Sequence, residues 1–314
     1  MLKLLITGGL GFIGSNLVDS LSKKNHKIKI LTKTFSKKNN IKNSYDKVEI
    51  EKINLTNFKR LGQIIEKFKP DIIIHLAGNT SHSKSFEEPL EDIDSNSKTT
   101  LFMLEKIREL GLSCKFVLGS TFIVIGKPTK LPVTESTPCN PTTIYGTNKL
   151  ASEHFCKIYH DVYGLDTVIF RITNSYGPRE QVISTKNAVN FLIYEAFNRK
   201  EISIYNKGKF FRDFIYIDDV VSGINVILKK GKSGELYWIS SGKKTWFYEF
   251  ANILEKNTNC IVTYPKTPIY TKKVDVGNFV VNNSKLRSLG WKPKTPIKDG
   301  IKRTLEYFES YNLK

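Results

Sequence analysis

Residues 7 to 14 read Thr-Gly-Gly-Leu-Gly-Phe-Ile-Gly, directly after the apolar run Leu2 to Ile6 and overlapping the start of a helical pattern, Phe12 to Leu21. Glycines at 8, 11 and 14 let the backbone turn sharply, bring its N–H groups against a pyrophosphate, and let the following helix pack close to the preceding strand. The helix N-terminus adds unpaired donors and a partial positive charge. Glycine turns between strands and helices are common, so the triplet counts only because strand, turn and helix occur here in the required order. It reads as a dinucleotide cradle, with Gly8, Gly11, Phe12, Ile13 and Gly14 as the contacts.

The remainder of the first half repeats this alternation. Strands are expected at Leu2 to Ile6, Ile28 to Leu31, Val48 to Ile53, Ile72 to Leu76, Lys115 to Leu118 and Thr167 to Phe170, with helices at Phe12 to Leu21, Phe58 to Phe68, Ser95 to Leu110 and Tyr145 to Val162. Short apolar strands alternating with helices imply an α/β fold, a Rossmann-like, doubly wound parallel sheet. Beyond Tyr176 the pattern is irregular, with helices expected at Ala188 to Asn198, Ile217 to Leu228, Phe247 to Asn257 and Ile297 to Tyr307. This predicts a dinucleotide domain over 1–176 and a smaller, partly interleaved substrate lobe over 177–314, some of whose segments return to the first domain.

A chain of 314 residues, 40% of them hydrophobic, can bury cores of that size. The formal charge of +19 raises the question of nucleic acid, but the basic pairs, such as Lys23-Lys24, Lys229-Lys230 and Lys272-Lys273, are scattered, without an arginine-rich stripe or an aromatic RNA-binding signature. A lysine-biased surface is therefore expected, with neither nucleic-acid nor membrane binding. The opening apolar segment is too short for a signal peptide, and the four cysteines, 114, 139, 156 and 260, lack CxxC spacing. A cytoplasmic protein with reduced cysteines and no metal site is the expectation.

Chemistry in such sheets gathers at the carboxyl ends of the strands. The strand at Lys115 runs into Ser120-Thr121, and Tyr145 and Lys149 share one face of a later helix. A tyrosine is a poor base at neutral pH, and an adjacent ammonium together with a cationic nicotinamide would favour its phenolate. Thr121 could then hold a substrate hydroxyl while Tyr145 takes its proton and a hydride leaves. The spacing alone is unspecific: about two Tyr-x-x-x-Lys matches are expected by chance in so lysine-rich a chain. Two occur, Tyr145 with Lys149 and Tyr205 with Lys209. The second spans Asn206-Lys207-Gly208, a turn signal.

These residues resemble the extended short-chain dehydrogenase/reductases that act on nucleotide sugars. The resemblance covers nearly the whole chain: the glycine turn, Asp71 to Gly78, Asn96 to Thr100, Ser120-Thr121 to Gly126, Tyr145 to Lys149, Arg171 to Arg179, Arg212 to Val220, and Leu289 to Pro293. It implies that Tyr145 is the catalytic base, Lys149 its electrostatic partner and a ligand of the nicotinamide ribose, and Thr121 the hydroxyl that orients the sugar. It further implies that Leu76, Ala77 and Asn96 line the cofactor, that Asn174 and Arg212 meet the diphosphate, and that the protein is a homodimer or higher homo-oligomer. For Arg212 the competing reading is a structural ion pair with Asp213 or Asp219.

Several positions depart from the family pattern. Thr32-Lys33 stands where an acidic residue usually meets the adenosine ribose, and Asn54-Leu55 where an aspartate meets the adenine. The choice between NAD and NADP stays open, with NAD favoured because most members use it. Asp275 follows Lys272-Lys273, where the family has an arginine followed by Gly-Asp. After Thr121, dehydratases and decarboxylases carry a carboxylate, whereas this chain has Phe122-Ile123-Val124-Ile125, which argues against water elimination. The resemblance therefore implies hydride transfer at the sugar C4 of a nucleotide-diphosphate sugar through a 4-keto species, 4-epimerase-like in the first instance. A 4-dehydrogenase or 4-ketoreductase with net redox change is the alternative, and a non-catalytic nucleotide-binding scaffold a further one.

Overall fold

The computed structural model describes residues 1–183 and 188–311. The chain divides into two compact units, one of Met1–Thr121, Thr143–Arg171 and Ile224–Tyr237, the other of Phe122–Thr142, Ile172–Gly223 and the chain from Trp238 onward.

The first unit is built on a seven-stranded sheet of order β11-β6-β5-β4-β1-β2-β3. Its elements in the first half are β1 (Leu2–Thr7), α1 (Phe12–Leu21), β2 (His26–Thr32), β3 (Val48–Lys52), α2 (Phe58–Phe68), β4 (Ile72–His75), α3 (His82–Glu87), α4 (Pro89–Ile93), α5 (Thr99–Glu109), β5 (Lys115–Thr121), α6 (Ile144–Tyr163) and β6 (Thr167–Ile172). β1 pairs in parallel with both β2 and β4, so the chain's direction of travel reverses beside β1. That reversal opens a crevice at the carboxyl ends of β1 and β4, where open α/β sheets bind ligands. Central strands are buried on both faces, hence the near-continuous apolar runs of Leu4-Leu5-Ile6 and Ile72-Ile73-Ile74, every one of which is buried. Edge strand β3 instead alternates, and Lys29 on β2 reaches Glu49 (2.6 Å) and Glu51 (3.3 Å) across the ladder.

The helices end where capping residues dictate. Asn57 accepts from Arg60 N (3.1 Å) at the start of α2, and Thr143 accepts from Gly146 N (3.0 Å) at the start of α6. Gly164, with φ +70°, terminates α6 in the left-handed region. Leu61, Ile65 and Phe68 of α2, Met103, Leu104 and Ile107 of α5 and Cys156 of α6 pack on Leu5, Ile73, Phe116 and Leu118 of the sheet.

The expected strands and helices of this half are present, with two differences. The expected helix from Ser95 is preceded by α3 and α4 and opens with a π-helical turn, Asp94–Lys98, before α5 proper begins. The seventh strand, β11 (Leu236–Ile239), was not anticipated: a four-residue apolar run is below the length at which periodicity separates strand from helix.

The remaining elements are β7 (Asn174–Tyr176), α7 (Ala188–Asn198), β8 (Glu201–Ser203), β9 (Phe211–Arg212), β10 (Phe214–Tyr216), α8 (Ile217–Lys230), β12 (Thr245–Trp246), α9 (Phe247–Thr258), β13 (Ile261–Thr263), α10 (Ile269–Val274), α11 (Ser284–Ser288) and α12 (Ile297–Ser310). In the second unit β7 pairs with β10, β9 with β12 and β8 with β13. These strands are only two or three residues long, which is why this half reads as irregular. The fully buried Asp213 ties them together, accepting from Ser241 N (2.8 Å), Ser241 Oγ (2.7 Å), Gly242 N (3.1 Å) and Val281 N (3.2 Å). Burial nevertheless pushes its carboxyl up to about 6 against those four bonds.

Within the first unit, Glu153 of α6 is 3% exposed and binds Arg171 of β6 through two contacts (2.9 and 2.6 Å) while accepting from Ser120 Oγ at the end of β5 (2.5 Å). Removing one member of a buried pair strands the other charge. Glu153→Ala with Arg171 retained is expected to cost about 3–5 kcal/mol, read from urea unfolding, and the double replacement Glu153→Leu/Arg171→Met to cost less; equal losses would show that the charges are not buried as a pair.

Candidate active site

The loop after β1 is shaped by close approach. An added Cβ at Gly8 (φ +71°) would lie 2.9 Å from Ala77 N, and one at Gly14 only 2.2 Å from Gly8 O. Glycine at these two positions is therefore demanded by the protein's own backbone. Gly11 is different: an added Cβ there meets only Gly8 O, at 3.2 Å. Gly11 is also the N-cap of α1 and supplies no side-chain cap, so the N–H groups of Phe12, Ile13 and Gly14 lie in a helix first turn with no capping oxygen. α2, α3 and α6 are each capped by a side chain.

Beside this turn, Thr7 Oγ1 accepts from Leu76 N (3.2 Å) and Ala77 N (3.1 Å) and lies 2.7 Å from His75 Nδ1. A hydroxyl that accepts twice gives its proton to the ring, which leaves His75 protonated on Nε2. Burial, followed by the charge of Lys149, lowers the His75 pKa to about 3 and keeps the ring neutral. Because Leu76 and Ala77 spend their N–H groups on Thr7, their backbones have no N–H left to donate to a cofactor.

Thr121 at the end of β5 hydrogen-bonds Tyr145, one turn before Lys149 on α6. The three residues are 9%, 8% and 5% exposed. Burial raises the Tyr145 pKa well above the ordinary phenol value; the Thr121 hydrogen bond opposes this and the Asp92 charge adds to it. Burial lowers Lys149 to about 8, opposed by Glu153, Cys156 and Asp92. The charge of Lys149 also falls on His75, whose pKa it lowers. Sharing a helix face brings two side chains to one surface without fixing which way the longer one extends. The other Tyr-x-x-x-Lys match is excluded by geometry, since Asn206 (φ 49°) and Lys207 (φ 50°) break the helix between Tyr205 and Lys209.

The other sequence candidates of this unit follow the strand ends. Thr32 Oγ1 bonds Thr34 O (2.8 Å), Lys33 lies 3.7 Å from Glu91, and Asn54 Oδ1 accepts from Thr56 N (3.3 Å), with Leu55 packed against the core. Asn96 sits in the π-helical turn, buried. Sequence reasoning passed over Asp92, which accepts from the amides of Asn79, Asn96 and Asn148, and His82, whose ring stands edge-on to Tyr145 with centroids 5.6 Å apart. The i, i+4 spacing of Asp92 and Asn96 was the available signal.

In the second unit the structure brings Arg212 and Asp275 together. The Arg212 guanidinium binds Asp275 and Gly277 O, donates to Phe211 O (3.1 Å), and is 7% exposed. Its carboxylate partner is thus Asp275, whereas Asp213 is spent on backbone N–H groups and Asp219 on Lys294 N and Thr295 N. Asn174 donates to Asp213 O (3.4 Å).

Residues 5–304 match the family model described as GDP-mannose 4,6 dehydratase. A putative UDP-glucose 4-epimerase of Methanocaldococcus jannaschii is 31% identical over 312 residues, 98% of this chain and 99% of that protein. The chain belongs to the extended short-chain dehydrogenase/reductase family, nucleotide-sugar epimerase/dehydratase type. Among solved structures it resembles a UDP-glucose 4-epimerase with UDP-glucose from Thermotoga maritima (TM-score 0.91, 27% identity, 99% of each chain covered). It also resembles a dTDP-glucose 4,6-dehydratase with NAD from Streptomyces venezuelae (TM-score 0.86, 25% identity, 98% of this chain and 97% of that one covered). A dinucleotide suits the residues present: the first turn of α1 is uncapped, and Asn96 Oδ1 is buried with no hydrogen-bond partner among the described residues. No helix among the described residues is long and apolar enough to cross a membrane.

Gly14→Ala is expected to lower the melting temperature and abolish NAD binding, whereas Gly11→Ala keeps stability within about 1 kcal/mol and still weakens NAD, measured by calorimetry; equal destabilisation by the two would contradict the close-approach argument. For Lys149, a folded pKa of about 8 lies below the unfolded value, so its ammonium opposes folding fully below pH 8, and the cost fades as pH rises toward 10.5. Lys149→Met should therefore stabilise the fold by about 1–3 kcal/mol at pH 7, with the gain shrinking between pH 8 and 10.

Proposed function

We propose that the protein is a nucleotide-sugar 4-epimerase, with Tyr145 as the base that takes the proton of the sugar C4 hydroxyl. The observation that carries this reading is the Thr121–Tyr145 hydrogen bond at the end of β5, one helical turn from Lys149. Thr121 orients the hydroxyl, and the phenol oxygen receives its proton as C4 becomes a ketone and later returns it. NAD supplies the hydride acceptor when bound. Burial holds the phenol proton tightly, and a bound oxidised nicotinamide would supply a cation that favours the phenolate. Lys149 holds the nicotinamide ribose. In the second unit, Asn174 and Arg212 are assigned to the diphosphate and Asp275 to the nucleoside end.

Epimerisation is favoured over elimination because the four residues after Thr121 are apolar and offer no carboxylate for a C5 proton. The same first step serves a 4-dehydrogenase or 4-ketoreductase. NAD is favoured over NADP because the Glu91 carboxylate, 3.7 Å from Lys33, offsets the cation that a 2′-phosphate would need.

Tyr145→Phe should lower turnover by about 10²–10⁴-fold and leave NAD bound, tested on UDP-glucose, UDP-N-acetylglucosamine and dTDP-glucose by product analysis. Wild-type turnover in this variant would remove Tyr145 from its role. A 4-keto-6-deoxy product would replace the epimerase reading with a dehydratase, and sugar binding without any turnover would support a scaffold.

A further inference from the structure

Asp92 lies on α4, is 1% exposed, and has no part in the reading above. Three amides from three elements converge on its carboxylate: Asn79 Nδ2 from the β4–α3 connection (2.7 Å), Asn96 Nδ2 from the π-helical turn (3.2 Å) and Asn148 Nδ2 from α6 (2.7 Å). A carboxylate has no hydrogen to give, so each amide must present its NH2 to Asp92 and send its carbonyl oxygen away. Two of those oxygens find donors within the protein, Asn79 Oδ1 from Ser81 N (3.1 Å) and Asn148 Oδ1 from Ser97 Oγ (3.4 Å). The third, Asn96 Oδ1, is buried without a hydrogen-bond partner among the described residues, where an added Cβ on Gly78 would come within 2.2 Å of it. Gly78 lies in the β4–α3 connection at the sheet's switch point, next to Ala77, against which Gly8 packs. A buried amide oxygen without a donor is unfavourable until a ligand supplies one.

We propose that Asp92 is a positioning residue that fixes which end of the Asn96 amide faces the dinucleotide, so that this position accepts a hydrogen bond from a cofactor hydroxyl or amide N–H and rejects an acceptor. The inference rests on the dinucleotide reading of the site. A second consequence is electrostatic. The titratable groups facing Asp92 are His82 from α3 and Tyr145 and Lys149 from α6, with Glu153 one turn beyond; the Lys84–Glu88 and Lys33–Glu91 pairs lie outward, exposed. The charge of Asp92 raises the pKa of all three facing groups. A reaction that needs Tyr145 deprotonated and Lys149 protonated therefore has both limbs of its pH profile held at higher pH by Asp92.

The test is NAD affinity of the full chain, by calorimetry, for wild type, Asp92→Asn, Asn96→Ala and the double variant, together with the pH profile of turnover for Asp92→Asn. Each single variant is expected to weaken NAD about five- to tenfold, the double variant no more than either, and the Asp92→Asn profile to move to lower pH by about half a unit or more. Wild-type affinity in Asp92→Asn, losses that add in the double variant, or an unmoved profile, as from a merely structural role, would overturn the proposal. If Asp92→Asn does not fold, Asn96→Ala decides alone, since Asp92 keeps two donors there: wild-type NAD affinity overturns the proposal and a five- to tenfold loss supports it. Failure of the wild-type protein to bind NAD would instead overturn the dinucleotide reading.

Discussion

The residues assigned to catalysis in the first unit depend on where α6 lies against the strand ends, and Glu153 ties it there. Its two oxygens are shared between Arg171 on β6 and Ser120 on β5, so one carboxylate ties helix to sheet at two strands. Apolar packing alone would leave the helix free to slide by fractions of an ångström, because dispersion contacts are non-directional. Charge-assisted hydrogen bonds are short and directional. The clamp lies one turn from Lys149 and two from Tyr145, and Ser120 is adjacent to Thr121, so the registration it imposes passes directly to these three residues.

Most of this unit is legible in the sequence because its physics is local. A strand buried on both faces must be apolar throughout, as Ile72 to Ile74 are, and a helix laid on a sheet must repeat every three or four residues, as Leu61, Ile65 and Phe68 do. The cradle was legible through glycines that the backbone itself requires. What escaped was non-local or short: β11, α3 and α4, and the polar group that gathers around Asn96, where Asp92, Asn79 and Asn148 look like surface residues until the fold collects them.

Arg212 shows how reading residues as types runs out. As a guanidinium among aspartates it suggested an ion pair with a sequence neighbour, but Asp213 and Asp219 each face backbone N–H groups, and the arginine pairs with Asp275, far along the chain. The pair lies among the carbonyls of Phe211 and Gly277, so the cation is already held before any phosphate is considered. An anion arriving there would compete with the Asp275 carboxylate for the guanidinium.

The π-helical turn at Asp94–Lys98 places Asn96 by counting rather than by chemistry. A π turn holds one residue more than the α-helix around it, and each helical residue turns the rest of the chain by about 100° about the axis. Trimming a single residue from this stretch would restore regular winding and swing the asparagine away from Gly78, although no side chain in the site had been altered. The number of residues in this stretch is therefore as much a determinant of the site as their identity.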